Sequence, residues 1–240
     1  MANPMEQFEI KPLVPFEING VNVAFTNSAL FMTLAVFSIV LLMGYCLRKR
    51  TIIPSVSQSV PEVLYEFIAG LIKENVGAEG MKYFAFIFSL FTFVAFGNVL
   101  GLFPYAFTFT SHLAAVGGLS VIALLFNICI GVKKRKLGYL RTFLPKGIPL
   151  VLAPLIIPIE MISFLSKPFS LTVRLVANMT VGHIMLKIIA GFVMVLGFAG
   201  IVPLAFDCVI IVFEIFIALL QAFIYTVLSC IYLGDALHEH

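Results

Sequence analysis

An all-helical protein that crosses a membrane several times is the fold this sequence predicts, and three observations predict it. Of its 240 residues 61% are hydrophobic and only 11% are charged, with a mean hydropathy of +1.11, outside the range of soluble domains. Apolar runs long enough to cross a hydrocarbon core of about 30 Å, which takes roughly 20 helical residues, recur through most of the chain. Lys and Arg gather in short clusters beside those runs, so the net charge of +3 reports topology rather than a nucleic-acid partner. The expected architecture is one membrane domain over residues 1–240: five membrane-crossing helices and one amphipathic surface helix, the last two crossings forming a long tilted hairpin.

The first span is expected over residues 28–47, after an outer segment of residues 1–27. It is too long for a signal core, lacks a basic leader and runs into Arg48-Lys49-Arg50, so it reads as a retained anchor whose basic end is cytoplasmic. Ser59-Val60-Pro61-Glu62 then has the form of a capping box with an early proline, opening a helix over 59–77. In that helix Val63, Leu64, Phe67, Ile68, Leu71, Ile72 and Val76 make one apolar face, and Glu62, Glu66, Lys73 and Glu74 lie off it. Such a helix suits the cytoplasmic membrane surface, and suits an extramembrane packing role equally well.

Residues 82–101 and 114–132 are the next two spans, joined by a segment from Leu102 to Leu113 without Lys or Arg, which should be outside. The third span returns into Lys133-Lys134-Arg135-Lys136, followed by Arg141 and Lys146, a second cytoplasmic cluster. Residues 148–190 stay largely apolar, and a continuous helix of that length reaches roughly 60 Å, about twice the hydrocarbon thickness. Either it is one strongly tilted helix or it breaks at Lys167-Pro168 into two spans. The tilted helix is preferred, because it leaves the uncharged turn around Gly191, Gly197, Gly200 and Pro203 outside. A final helix runs over 205–233 and delivers the C-terminus to the cytoplasm.

Inside these last two segments lie Glu160, Lys167, Ser170, Arg174, Asn178, His183, Lys187, Asp207, Glu214 and Gln221. A charge near the bilayer centre costs about 2.5–3.5 kcal/mol even on the lenient insertion scale, so each placement needs a reason. Glu160, Lys167 and Arg174 are seven residues apart, as are Asp207, Glu214 and Gln221, so each trio lines one helical stripe. Ser170, Arg174 and Asn178 share a face at intervals of four, which flanks the guanidinium with neutral polar groups. If the two helices pack antiparallel about Gly197, opposed residues have numbers adding to about 394, which sets Arg174 near Gln221 and His183 near Glu214.

The layers differ chemically. Glu214 and His183 can exchange protons near physiological pH and can act as relay groups with water between them. Arg174 keeps its proton in any protein setting and is a fixed charge, with its carboxylate partner expected from another subunit. Blander readings stand beside these: Arg174 as half of a static pair with Glu160 or Asp207, His183 as a hydrogen-bonded core residue, Lys167 and Lys187 snorkelling, Asn178 and Gln221 as inter-helix glue. The four cysteines show no metal spacing and read as small packing residues, and no cofactor or metal is expected. No Gly-rich phosphate loop appears, so no nucleotide site is expected on this chain.

The segment SKPFSLTVRLVANMTVGH (166–183), with EIFIALLQAFIY (214–225) and FGNVLGLFPY (96–105), closely resembles subunit a of the F-type ATP synthase, and the likeness spans most of the chain. The resemblance implies a stator subunit of the membrane sector, present in one copy, in a bacterial inner membrane or a mitochondrial one. It implies as partners the rotating c-ring, the peripheral-stalk b subunits and lipid. The essential arginine of the family matches Arg174, which would face the ring carboxylate. Positions matching Ser170, Asn178, His183, Glu214 and Gln221 would line two aqueous half-channels. By position, Asp207, Glu214 and His183 would serve entry, and Glu160, Lys167 and Ser170 exit. Enterobacterial members carry the His183 and Glu214 residue types exchanged, and this chain follows the mitochondrial-type arrangement.

Overall fold

A computed structural model describes residues 9–14, 17–18, 21–22, 24–48, 51, 54–103, 106–136 and 152–237. Lys49, Arg50, Arg141, Lys146, His240 and the expected helix start at 148–151 lie outside the described residues. Among the described residues six α-helices follow four very short strands: α1 Asn27–Cys46, α2 Val56–Asn75, α3 Phe84–Gly101, α4 Leu113–Arg135, α5 Ala153–Leu196 and α6 Ile201–Leu237. Among the described residues four stretches are long and apolar enough to cross a membrane: Asn27–Cys46, Ala78–Gly101, Leu113–Arg135 and Ala153–Leu237, the last being the two long helices together. Helices α1, α3 and α5 have almost no amphipathic bias because lipid and protein neighbours are equally apolar.

The N-terminal segment, expected only as an outer extension, carries two small antiparallel pairings. Strand β1 (Pro12–Val14) pairs with β4 (Phe25–Thr26), and β2 (Glu17–Ile18) with β3 (Val21–Asn22). Asn27 joins them to α1: its Oδ1 accepts from the backbone of Lys11 and of Ser28, and its Nδ2 donates to the Glu9 carbonyl at 3.0 Å. Thr26 Oγ1 accepts from the Ala29 amide, satisfying one of the orphan donors of the helix start.

The capping box at Ser59 is not used. Helix α2 begins three residues earlier, at Val56, and Pro61 sits inside it. Ser59 Oγ donates back to the Ser55 carbonyl at 3.1 Å, and Gln58 Nε2 rather than a backbone amide meets Glu62 at 2.7 Å. The serine thus spends its hydroxyl on a turn already formed, and Pro61, in the second turn, withholds one amide from the Ser57 carbonyl.

Two compact units divide the chain. The first comprises residues 1–45, 92–116 and 174–222, and the second residues 46–91, 117–173 and 223–240. In the first, Ala35 of α1 packs against Phe107 and Phe109, with Phe31, Phe93 and Leu100 around them. The segment after α3 folds back onto that helix because two glycines let it. A Cβ at Gly97 would lie 2.4 Å from the Phe109 ring, and one at Gly101 would lie 2.6 Å from Thr108 Cγ2. In the second unit the buried face of α2, Ile68, Ile72 and Val76, joins Ile87, Leu90, Ile130, Tyr225 and Leu233 in the core, while Val63 and Phe67 of the expected apolar face are exposed. A hydroxyl chain binds α4, α5 and α6 there: Tyr225 donates to Ser120 at 3.0 Å, Ser120 meets Thr172 at 2.7 Å, and Thr172 donates to the Pro168 carbonyl.

Helix α5 is unbroken through Lys167-Pro168. Proline there withholds one amide from the Phe164 carbonyl, a loss that neighbouring helices and hydroxyl side chains offset in membrane proteins. Within the first unit α5 and α6 turn back on each other through Gly197–Gly200, with Gly197 at φ +55° in the left-handed region that favours glycine. At Gly200 a Cβ would lie 2.6 Å from the Val193 carbonyl, so this corner also requires a bare backbone.

Candidate functional site

The hairpin of the first unit carries the polar groups. Leu175 and Met179 of α5 are buried while Arg174 and Val181 are exposed, so the guanidinium occupies an outward face. Among the described residues no ion pair or hydrogen bond involves Arg174. A static pair with Glu160 or Asp207 is therefore not formed.

Opposite, Glu214 reaches from α6 across the hairpin to the backbone of Gly182. A Cβ at Gly182 would overlap the Glu214 carboxylate, 1.9 Å from Oε1. The glycine before His183 is thus the recess that admits this side chain. The contact joins residues whose numbers add to 396, within a turn of the register expected from the turn at Gly197. Both Glu214 oxygens are buried without a hydrogen-bond partner, as are Asp207 Oδ1 and Gln221 Oε1. Unsatisfied carboxylate oxygens in apolar surroundings cost free energy unless water or a partner reaches them. Asn178 is half-buried and Gln221 buried, unlike the exposed Arg174.

His183 is buried, and its Nε2 lies 2.9 Å from Thr108 Oγ1. The threonine hydroxyl has one proton, which it donates to the Gly101 carbonyl at 3.1 Å. It must therefore accept from His183, which places the imidazole hydrogen on Nε2 and the titrating lone pair on Nδ1. Thr108 and Gly101 are site residues that the sequence reading missed, and so is Gly182. Asn98 is another: fully buried, it donates to the Ala218 carbonyl at 3.0 Å and fixes α3 against α6. Gly97, Asn98 and Gly101 sit inside a quoted motif, and a glycine pair four apart on an apolar helix is the signal that a loop or helix approaches closely there.

The second unit holds Glu160, Lys167 and Ser170. Glu160 is half-buried, and Ser170 is exposed. Lys167 lies with Nζ 5.7 Å from the centre of the Tyr232 ring, a cation–π contact that holds its charge over an aromatic already packed edge-on against Phe164. The residues singled out in the sequence are thus divided between the units, with Arg174, Asn178, His183, Asp207, Glu214 and Gln221 together in the first.

Long apolar helices and a hairpin lined with ionisable groups define a multi-pass membrane protein, the class in which intramembrane charges mark ion pathways. Comparison with known proteins narrows the class to a family. The family model described as ATP synthase A chain matches residues 29–234, and the chain belongs to that family. It is similar to ATP synthase subunit a of Rhodospirillum rubrum, 53% identical over 241 residues, with both chains covered in full. The corresponding protein of Paramagnetospirillum magneticum is 51% identical over 247 residues, again covering both chains in full. That of Mesorhizobium japonicum is 46% identical over 244 residues, covering 99% of this chain and 97% of its own.

Proposed function

We propose that this chain is the stator proton-channel subunit of the membrane sector of an F-type ATP synthase, seated in a bacterial inner membrane against a c-ring and held by peripheral-stalk b subunits. It supplies two aqueous half-channels and a fixed cation, and so couples proton flow to ring rotation. The observation that carries the reading is Arg174: exposed on α5 and unpaired within its own chain among the described residues, it is a permanent charge that calls for a carboxylate from outside.

In this reading a proton enters through water beside Asp207, Glu214 and His183 and neutralises a ring carboxylate released by Arg174. The neutral acid can then face lipid. After most of a rotation it ionises toward the other half-channel, near Glu160, Lys167 and Ser170, and Arg174 attracts it again. Asn178 and Gln221 hold water beside the guanidinium, which repels protonated water and keeps the half-channels apart. One charge moved through 100 mV supplies about 2.3 kcal/mol, so several protons per turn are required for a costly product. This chain needs no nucleotide site for that role.

Replacing Arg174 by Ala should abolish proton-driven ATP synthesis in inverted membrane vesicles while the chain still inserts. Lysine should substitute poorly, since a desolvated ammonium can lose its proton and lacks the planar fork. Synthesis at the wild-type rate in Arg174→Ala vesicles would reject the proposal.

A further inference from the structure

The second unit contains a cavity of about 280 Å³ outside the polar hairpin. Its wall combines Lys82 and Tyr83, from the 3-10 turn that precedes α3, with Lys133 and Lys134 from the last turn of α4. Ile130 and Leu237, both buried, make it apolar on the remaining side. Glu79 also lines it, but pairs with Lys134. Lys82 and Lys133 have no hydrogen bond or ion pair among the described residues, so two uncompensated cations line one recess. Among the described lining residues Glu79 is the one acid, and it is engaged by Lys134.

The place of the cavity decides which anion. Lys82 lies at the start of the apolar stretch Ala78–Gly101 and Lys133 at the end of Leu113–Arg135, which is headgroup depth for both. Basic residues in the last turn of α4 complement its helix dipole, but that does not account for Lys82, which comes from another element. From the turn bearing Lys133 an exposed apolar strip, Val132, Leu125 and Ile122, runs along α4. An ammonium-lined recess for phosphate continuous with a strip for hydrocarbon is the shape of an amphiphile.

We propose that this cavity binds the phosphate headgroup of an anionic glycerophospholipid, with an acyl chain against α4. The site is independent of the proton path and would persist whatever rotor the chain serves. The test uses the full chain, purified from its own membranes in mild detergent and transferred to phosphatidylcholine nanodiscs containing a trace of photoactivatable phosphatidylglycerol. Crosslinks should map to residues 79–83 and 130–134. The double variant Lys82→Gln with Lys133→Gln should lose labelling about thirtyfold, as removal of two interfacial cations predicts. Lys82→Arg with Lys133→Arg should retain it, and so should Lys73→Gln, which removes an exposed lysine outside the cavity. A phosphatidylcholine probe should not label these segments, and millimolar inorganic phosphate should not compete. The proposal is overturned if the double Gln variant labels like wild type, if phosphatidylcholine labels equally, or if Lys73→Gln loses as much. Full competition by inorganic phosphate would also overturn it, assigning the recess to a free anion.

Discussion

A threonine hydroxyl has one proton to give, and at Thr108 the Gly101 carbonyl takes it, so the orientation of His183 rests on the remaining lone pairs of that oxygen. Thr108→Val keeps the shape and removes both bonds. It leaves a buried imidazole nitrogen unsatisfied at a cost of roughly 1–3 kcal/mol. ATP-driven proton pumping should fall about tenfold with a shifted pH profile, while Thr108→Ser should restore both; a Val variant with an unchanged profile would show that the threonine only packs. His112, in the loop before α4, tests the same unit differently. It stacks on Phe107 with centroids 4.9 Å apart, and its Nε2 is buried without a partner. Burial lowers its pKa below the usual 6.5. The unfolded loop therefore binds a proton more readily than the folded one, so the stabilisation is complete above pH 6.5 and is lost as pH falls toward the folded value. Amide-exchange protection of residues 106–112, corrected for intrinsic rates, should drop on acidification in the wild type and stay flat in His112→Gln.

Glycines decide how the elements meet, and two of them separate stability from function. At Gly97 an added methyl would strike the Phe109 ring, which is buried beside Ala35 and has nowhere to turn. Gly97→Ala should therefore cost roughly 1–3 kcal/mol, read as a lower unfolding temperature of the purified protein. At Gly182 the added methyl would meet only the tip of Glu214, a flexible side chain that can swing aside. Gly182→Ala should leave the unfolding temperature nearly unchanged and impair proton flux, because the carboxylate beside His183 is displaced. Equal thermal losses in the two variants would contradict this division. The same contacts mark what was legible in the sequence. Helices of twenty or more apolar residues announce themselves, as does the hairpin turn at Gly197, since length and glycine suffice. The close approach of Phe109 and Thr108 to α3 was not legible, because two glycines reveal that something comes near without naming it. The serine at position 59 misled for a local reason: a capping pattern also occurs one turn inside a helix, where the hydroxyl bonds backward to the i−4 carbonyl.

At the scale of the whole molecule, the hairpin register could be read to within a turn because it needs only helix geometry and a turn position, and Gly182 does meet Glu214. The two short strand pairings before α1 were invisible, since strands of two or three residues carry no period. The topology depends on α5. Its 44 residues form one helix through Pro168 and reach about 66 Å, roughly twice the hydrocarbon thickness, and we propose that it crosses once, tilted. In the topology we propose, α1, α3, α4 and α6 bring the crossings to an odd number, so the two ends of the chain would fall on opposite sides. The basic residues at the ends of α1 and α4 would then choose the direction, with the N-terminus outside and the C-terminus in the cytoplasm. An epitope at the N-terminus should be reached by a membrane-impermeant probe in right-side-out vesicles only, and one at the C-terminus in inverted vesicles only. A break at Lys167-Pro168 would add a crossing and put both epitopes on the outer face. That outcome would place Arg174 on a separate span from Glu160, and the single stripe running from Glu160 through Lys167 to the guanidinium would cease to exist.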